Sequence, residues 1–182
     1  MPHFQNAIEE FPGYYEAYDR IGAADLQLWR IPEAEESFRK SIELSGEGYA
    51  HPLIALGAIL NDHGNYAEAA TVIRKGLDLA PDSWTGHYYL GLALFSLNRL
   101  DEAEKCAREA LLRKANFPRV QLLLADIHNR EKDYASLVSD LNEYLRLDAE
   151  GPATARARAL LESVQRILVE SQSASATVPS QP

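Results

Sequence analysis

From residue 14 to residue 148, apolar residues return at helical intervals and are separated by short polar turns. Tyr88, Leu92 and Phe95 make one stripe of a helix, with Leu90 and Leu94 turned toward another. A break at 96–99 follows, and residues 100–113 read as a second helix. The stretch before it has the same plan: a helix over 51–62, a turn at His63-Gly64-Asn65, and a helix over 66–79. Gly64 suits the positive φ found at many helix ends. Pro32 and Asp101 stand near the starts of second helices, where first-turn amides lack an intrahelical acceptor. Pro118 and Pro152 are placed to open later helices. The Val, Ile and Thr enrichment of strands is missing, so the pattern predicts an all-α chain.

The helical pattern repeats. Gly22, Gly57, Gly91 and Ala125 follow one another at a near-constant interval, one position longer between the first two than between the rest. Each is followed, at one constant offset, by Ala34, Ala69, Ala103 or Leu137. A fixed period of this size marks a repeat architecture, in which one supersecondary unit stacks on copies of itself. A helix-interior glycine costs about 1 kcal/mol against alanine, so its regular return implies close helix approach. Small residues on first helices are expected to face Ala34, Ala69 and Ala103 on second helices. Tyr18, Ile21, Phe38, Leu53, Leu56, Ile73, Leu90, Leu124 and Leu141 fill the space between.

These residues resemble the tetratricopeptide repeat, whose unit carries a Leu-Gly pair, then an alanine, an aromatic and a proline. The second unit has Leu53, Leu56-Gly57, Leu60, Ala69, Ile73, Gly76 and Pro81, and the third has Leu90-Gly91, Leu94, Ala103, Ala107 and Ala110. The first has Tyr18, Ile21-Gly22, Ala34, Phe38 and Gly46, and the fourth, most divergent, has Leu124-Ala125, Leu137, Leu141 and Tyr144. The resemblance implies a right-handed α-solenoid of antiparallel helix hairpins, with repeats over 13–48, 49–83, 84–117 and 118–151. An extra residue near 45–49, where Gly46 replaces the family proline, predicts a looser turn between the first two.

Phe4, Ala7 and Pro12 lie one period before Phe38, Ser41 and Gly46, so residues 1–12 read as the second helix of a truncated repeat. The chain is then expected to be a piece of a longer protein; a natural start with one capping helix is the alternative. Residues 152–170 read as a C-terminal capping helix, with Leu160, Leu161, Val164, Ile167 and Leu168 inward. Residues 171–182, rich in Ser, Ala and Pro, predict a disordered tail.

Composition narrows the function. With 18 Lys and Arg against 27 Asp and Glu the formal charge is -9, which argues against a nucleic-acid partner, whose phosphates need a basic stripe. No apolar run is long enough for a transmembrane helix, so no membrane insertion is expected. Cys106 is the single cysteine, which rules out an intrachain disulfide and any cysteine zinc cluster. The five histidines, His3, His51, His63, His87 and His128, lack metal-site spacing. His87 and His128 are expected in helix packing, His63 in a turn and His51 on the inner face. Neighbouring carboxylates such as Glu9-Glu10 and Glu35-Glu36 diverge around a helix. No phosphate loop or nucleophile elbow is present. The sequence therefore predicts no enzyme, no metal and no cofactor.

The resemblance implies instead a concave groove, lined by the first helix of each unit at repeat positions 2, 5, 9, 12 and 13. In the second unit these are His51, Ile54, Ala58, Asn61 and Asp62; in the third, Thr85, Tyr88, Leu92, Phe95 and Ser96. The fourth unit gives Arg119, Leu122, Asp126, Asn129 and Arg130, and the first gives Glu16, Asp19, Ala23, Leu26 and Gln27. The predicted binding residues are His51, Ile54, Asn61, Asp62, Tyr88, Leu92, Phe95, Leu122, Asn129 and Arg130. Their apolar centre and polar ends fit a protein or peptide segment with an apolar anchor; packing of Tyr88 and Phe95 on neighbouring helices is the alternative. Family members that clamp a C-terminal carboxylate use Lys, Asn and Arg where this chain has Asp19, Ala23, Ala55, Thr85 and Tyr89, so that clamp is not expected. The function expected is a non-catalytic protein-interaction scaffold. Its rivals are a self-association module, forming a homodimer through an edge at Phe4, Ile8 and Phe11, and a regulatory arm of a larger, enzymatic protein.

Overall fold

The computed structural model describes residue 11 and residues 13–176. Among them the chain forms helices α1 (Tyr15–Gln27), α2 (Ile31–Ser45), α3 (Ala50–Asp62), α4 (Tyr66–Leu79), α5 (Trp84–Ser96), α6 (Leu100–Arg113), α7 (Pro118–Glu131), α8 (Tyr134–Leu147) and α9 (Thr154–Ala176), with no strand. The fold is an all-α helical-repeat solenoid. Short turns fold each pair back on itself, giving hairpins α1–α2, α3–α4, α5–α6 and α7–α8. The chain divides into two compact units, Met1–Arg113 and Lys114–Pro182. In the first, α2 also packs on α3, α4 on α5, and α3 on α5; in the second, α9 packs on α8.

One turn closes every hairpin. Trp29, Gly64, Asn98 and Lys132 each have φ between 58° and 79°. The residue after each donates its amide to the carbonyl five residues back: Arg30 to Asp25, Asn65 to Leu60, Arg99 to Leu94 and Asp133 to His128, at 2.8–2.9 Å. This is the Schellman closure, which satisfies carbonyls that a helix end leaves bare. The repeat is therefore one of backbone conformation as well as of side-chain size. At the junction of the first two repeats Gly46 and Glu47 both take φ 61°, and the Glu47 amide donates to the Ile42 carbonyl five residues back at 3.0 Å.

Glycines admit large side chains. A Cβ on Gly22 would stand 2.9 Å from the Phe38 ring, and one on Gly57 would stand 2.7 Å from Ile73 Cδ1. The first helix thus gives up a side chain so that an aromatic or branched residue of its own hairpin can seat against bare backbone. Ala34, Ala69 and Ala103 are fully buried; the nearest neighbour of Gly22 is the Phe38 ring, and that of Gly57 is Ile73, with the Ala69 carbonyl oxygen next at 3.4 Å from a Cβ there. Phe38, Leu53, Leu56, Ile73, Leu90, Leu124 and Leu141 are buried as expected. Tyr18 and Ile21 are only half-buried, because α1 has no earlier described helix packed on it.

The second unit has its own core of Ala125, Leu137, Leu141, Tyr144, Ala157 and Val164. Helix α9 extends to Ala176, so the expected tail from residue 171 begins too early; serine and alanine carry the helix on. Ile167 is exposed rather than inward, since the buried side follows Ala157, Val164 and Leu168. Residues 177–182 of the expected tail lie outside the described residues, as do Phe4, Ile8 and Pro12 of the expected leading half-repeat. Phe11, the third residue of the expected self-association edge, is 65% exposed.

Candidate functional site

On α3 the residues left outside the core are His51, Ala55, Ala58 and Asp62, apart from Ala50 at its start. Their spacing of i, i+4, i+7 and i+11 makes one straight stripe on a helix. The same register on α5 gives Thr85, Tyr89, Leu92 and Ser96, with half-buried Phe95 beside them, and on α1 it gives Glu16, Arg20, Ala23 and Gln27. These three stripes form the open face of the first helices in the first unit. Across it, two alanines of α3 lie beside an aromatic-aliphatic row on α5. Polar residues stand at either end.

This face keeps His51, Ala58, Asp62, Thr85, Leu92 and Ser96 of the expected lining, but it has Ala55 and Tyr89 where Ile54 and Tyr88 were expected. Ile54, Asn61 and Tyr88 are buried, at 7%, 8% and 8% exposure. One step along a helix is about 100° of rotation, enough to turn these positions from the open face toward neighbouring helices. Ile54 shows the consequence. Its Cγ1 would lie 2.8 Å from a Cβ on Gly76 of α4, and its Cδ1 would lie 3.1 Å from one on Gly86 of α5. Ile54 is the pin of a three-helix junction and presents no surface to a guest. The Tyr88 and Tyr89 rings lie 5.2 Å apart and tilted by 55°, and Tyr89 holds the more accessible place. Tyr89 and Ala55 entered the sequence reading only as positions of a missing carboxylate clamp; counting i+4 from His51 and Thr85 finds both.

His51, Asp62, Leu92 and Phe95 do share the first unit's open face. Leu122, Asn129 and Arg130 belong to the second unit. There Leu122 packs on the core with Leu160 of α9, and with Ala125, Asp126, Leu141, Ala153, Arg156 and Ala157 it encloses a cavity of about 40 Å³. Leu122 is half-buried there, across this cavity from the terminal helix. Asn129 and Arg130 are exposed at the C-terminal end of α7.

Two polar clips hold the first helices together. Asp19 on α1 is 1% exposed and sits 2.5 Å from His51 Nδ1 on α3, with the Tyr49 hydroxyl donating at 3.4 Å. Farther along, Asn61 Nδ2 on α3 donates to the Tyr89 carbonyl on α5 at 2.8 Å, while Asn61 Oδ1 is buried without a partner. A buried carboxylate or amide is costly unless bonded, so each clip specifies one arrangement of the helices it joins. His51 is therefore a wall residue with a structural duty. Of the other histidines, His128 is buried at 2.6 Å from Asp140, His63 is exposed in its turn, and His87 Nε2 lies 2.8 Å from the Pro81 carbonyl.

Burial pushes the Cys106 thiol up to about 11, with Arg74 opposing. Burial also raises the Asp126 carboxyl, while Arg156 and Arg130 pull it down. Among the described residues no three His, Cys, Asp or Glu side chains are grouped to hold a metal, and no helix is long and apolar enough to cross a membrane.

The tetratricopeptide repeat family pattern matches residues 60–127. No curated protein matches the sequence. Among solved structures, Pseudomonas aeruginosa pilF is similar over 95% of this chain and 77% of its own, with a TM-score of 0.77 and 20% identity. YrrB, described as a TPR protein with an unusual peptide-binding site, is similar over 90% of this chain and 82% of its own (TM-score 0.75, 19% identity). The Yersinia enterocolitica type III secretion chaperone SycD, solved with a peptide of the translocator YopD, covers 62% of this chain and 89% of its own (TM-score 0.59, 20% identity). The fold these share is typically a non-catalytic protein-interaction scaffold. The recurring hairpin closure and the glycine-for-bulk packing, with the family match over residues 60–127, give this chain a helical-repeat fold similar to that of tetratricopeptide repeat proteins.

Proposed function

We propose that the first-helix face of the first unit binds a peptide segment of a partner protein. Tyr89, Leu92 and Phe95 supply the apolar anchor site, Ala55 and Ala58 the low floor beside it, and His51 and Asp62 the polar ends. One observation carries the reading: an aromatic-aliphatic row stays half-exposed next to two alanines, leaving room for a guest side chain where an ordinary core would be filled. YrrB and SycD show by their descriptions that this fold accommodates peptide sites, which supports the assignment without locating it. Asn129 and Arg130 of the second unit have no part in the proposal.

A photo-crosslinking side chain at position 92, compared with one at position 108 on α6, tests it in the living host. A discrete protein adduct is expected from position 92 alone. Tyr89→Ala with Phe95→Ala should remove that adduct while the far-ultraviolet spectrum stays helical. Equal labelling from both positions, or labelling indifferent to the double substitution, overturns the reading.

A further inference from the structure

We propose that the segment taken by this face has an apolar anchor followed by Lys or Arg that meet the Asp62 edge; the inference rests on the groove reading above. Charge is unevenly spread along the chain. Residues 1–113 carry 10 Lys and Arg against 18 Asp and Glu, whereas residues 114–182 carry eight against nine. The acidity therefore belongs to the unit that holds the open face.

In that unit most cations are committed on the second helices. Arg39 lies between Glu35 and Glu68, Lys75 pairs with Glu47, and Arg108 pairs with Glu104. Carboxylates are left over: Glu33, Glu36, Asp62, Asp78 and Asp101 have no cationic partner among the described residues. The summed field of such a unit draws cations in and repels anions, most strongly at low ionic strength.

The face itself has the matching layout. Its middle, at Ala23, Ala55, Ala58, Tyr89 and Leu92, is uncharged. Glu16 lies at the edge formed by first-helix N-termini, and Asp62 lies at the opposite edge, with Arg20 the single Lys or Arg on the three stripes. Because α1, α3 and α5 alternate with antiparallel partners, they run parallel to one another. Their C-terminal ends, which carry partial negative charge, therefore gather at the Asp62 edge and add to it. A guest with Lys or Arg beyond its apolar anchor meets opposite charge there. An acidic guest would bring like charges together.

The test is selection of random 12-residue peptides displayed on phage against the full chain. Lys and Arg should outnumber Asp and Glu by about threefold among recovered peptides, alongside aromatic or aliphatic residues. The best synthetic peptide should weaken about tenfold between 50 mM and 500 mM NaCl. Asp62→Asn, at an exposed position, should cost about fivefold at low salt and nothing at high salt. Neutral or acidic peptides that still depend on Tyr89 and Phe95 would overturn the charge inference and leave the groove standing. Peptides indifferent to Tyr89→Ala with Phe95→Ala, or no enrichment at all, would overturn both.

Discussion

Asp19 and His51 face each other across 2.5 Å from separate helices, the aspartate 1% exposed and the histidine largely open to water. The pair joins α1 to α3, and the His51 ring also lies edge-on to Phe38 of α2 at 6.2 Å. Removing the imidazole leaves a buried carboxylate with only the Tyr49 hydroxyl at 3.4 Å. His51→Ala should therefore cost about 1–3 kcal/mol in urea denaturation, the usual range for a buried polar group that loses its partner. A loss below about 0.3 kcal/mol would show that water reaches Asp19 and does the same work.

That pair was invisible in the sequence, since nothing relates two residues so far apart on different helices. Other features were legible. The α4 and α6 boundaries at Tyr66–Leu79 and Leu100–Arg113 follow from apolar spacing and turn residues alone, and Gly64 does take a positive φ. The open face was legible except for its phase. Helical spacing defines two adjacent stripes, Ile54 with Tyr88 and Ala55 with Tyr89, and only the neighbouring helix decides which is covered.

Gly57 is where repeat pattern and packing can be weighed against each other. Alanine would gain about 1 kcal/mol in helix propensity. Its Cβ, however, would collide with Ile73, a core side chain with 0% exposure and nowhere to move. Overpacking of this kind costs about 1–3 kcal/mol, so Gly57→Ala should be net destabilising, and Gly57→Ala with Ile73→Val should recover part of the loss. A neutral or stabilised single variant by thermal melting would contradict the close approach.

Trp29 occupies the turn position that Gly64 and Asn98 fill in the next two hairpins, at φ 58° and 86% exposure. A left-handed conformation costs a bulky side chain about 1–2 kcal/mol, and this ring buries too little to offset it. Trp29→Gly should raise stability by about 1 kcal/mol and Trp29→Asn by about half that, read from denaturation midpoints with an unchanged slope. Loss of stability in both would mean the indole makes contacts worth more than the strain.

With its thiol pushed up to about 11, Cys106 should be a poor nucleophile in the folded chain. At pH 8 its thiolate population lies about a hundredfold below that of an ordinary cysteine. Reaction with a disulfide reagent should be slower by at least that factor than in urea. Rates within about tenfold of each other would show that the helix α6 surface opens readily around it.

Asp126 has a pH signature of unusual sign for a carboxylate in an ion pair. Arg156 stands 3.1 Å away, yet burial outweighs it and the folded carboxyl keeps its proton to higher pH than the unfolded chain does. The folded state then binds more protons in that window, so this group favours folding below the ordinary aspartate value and loses its contribution as pH rises through the raised one. Asparagine imitates the protonated form at every pH. Asp126→Asn should thus match the parent near pH 3.5 and exceed it at pH 7, by no more than about 0.5 kcal/mol given screening at a side chain 36% exposed. If the variant is instead weaker at pH 7, the contact between α7 and the terminal helix is governed by the Arg156 ion pair rather than by desolvation.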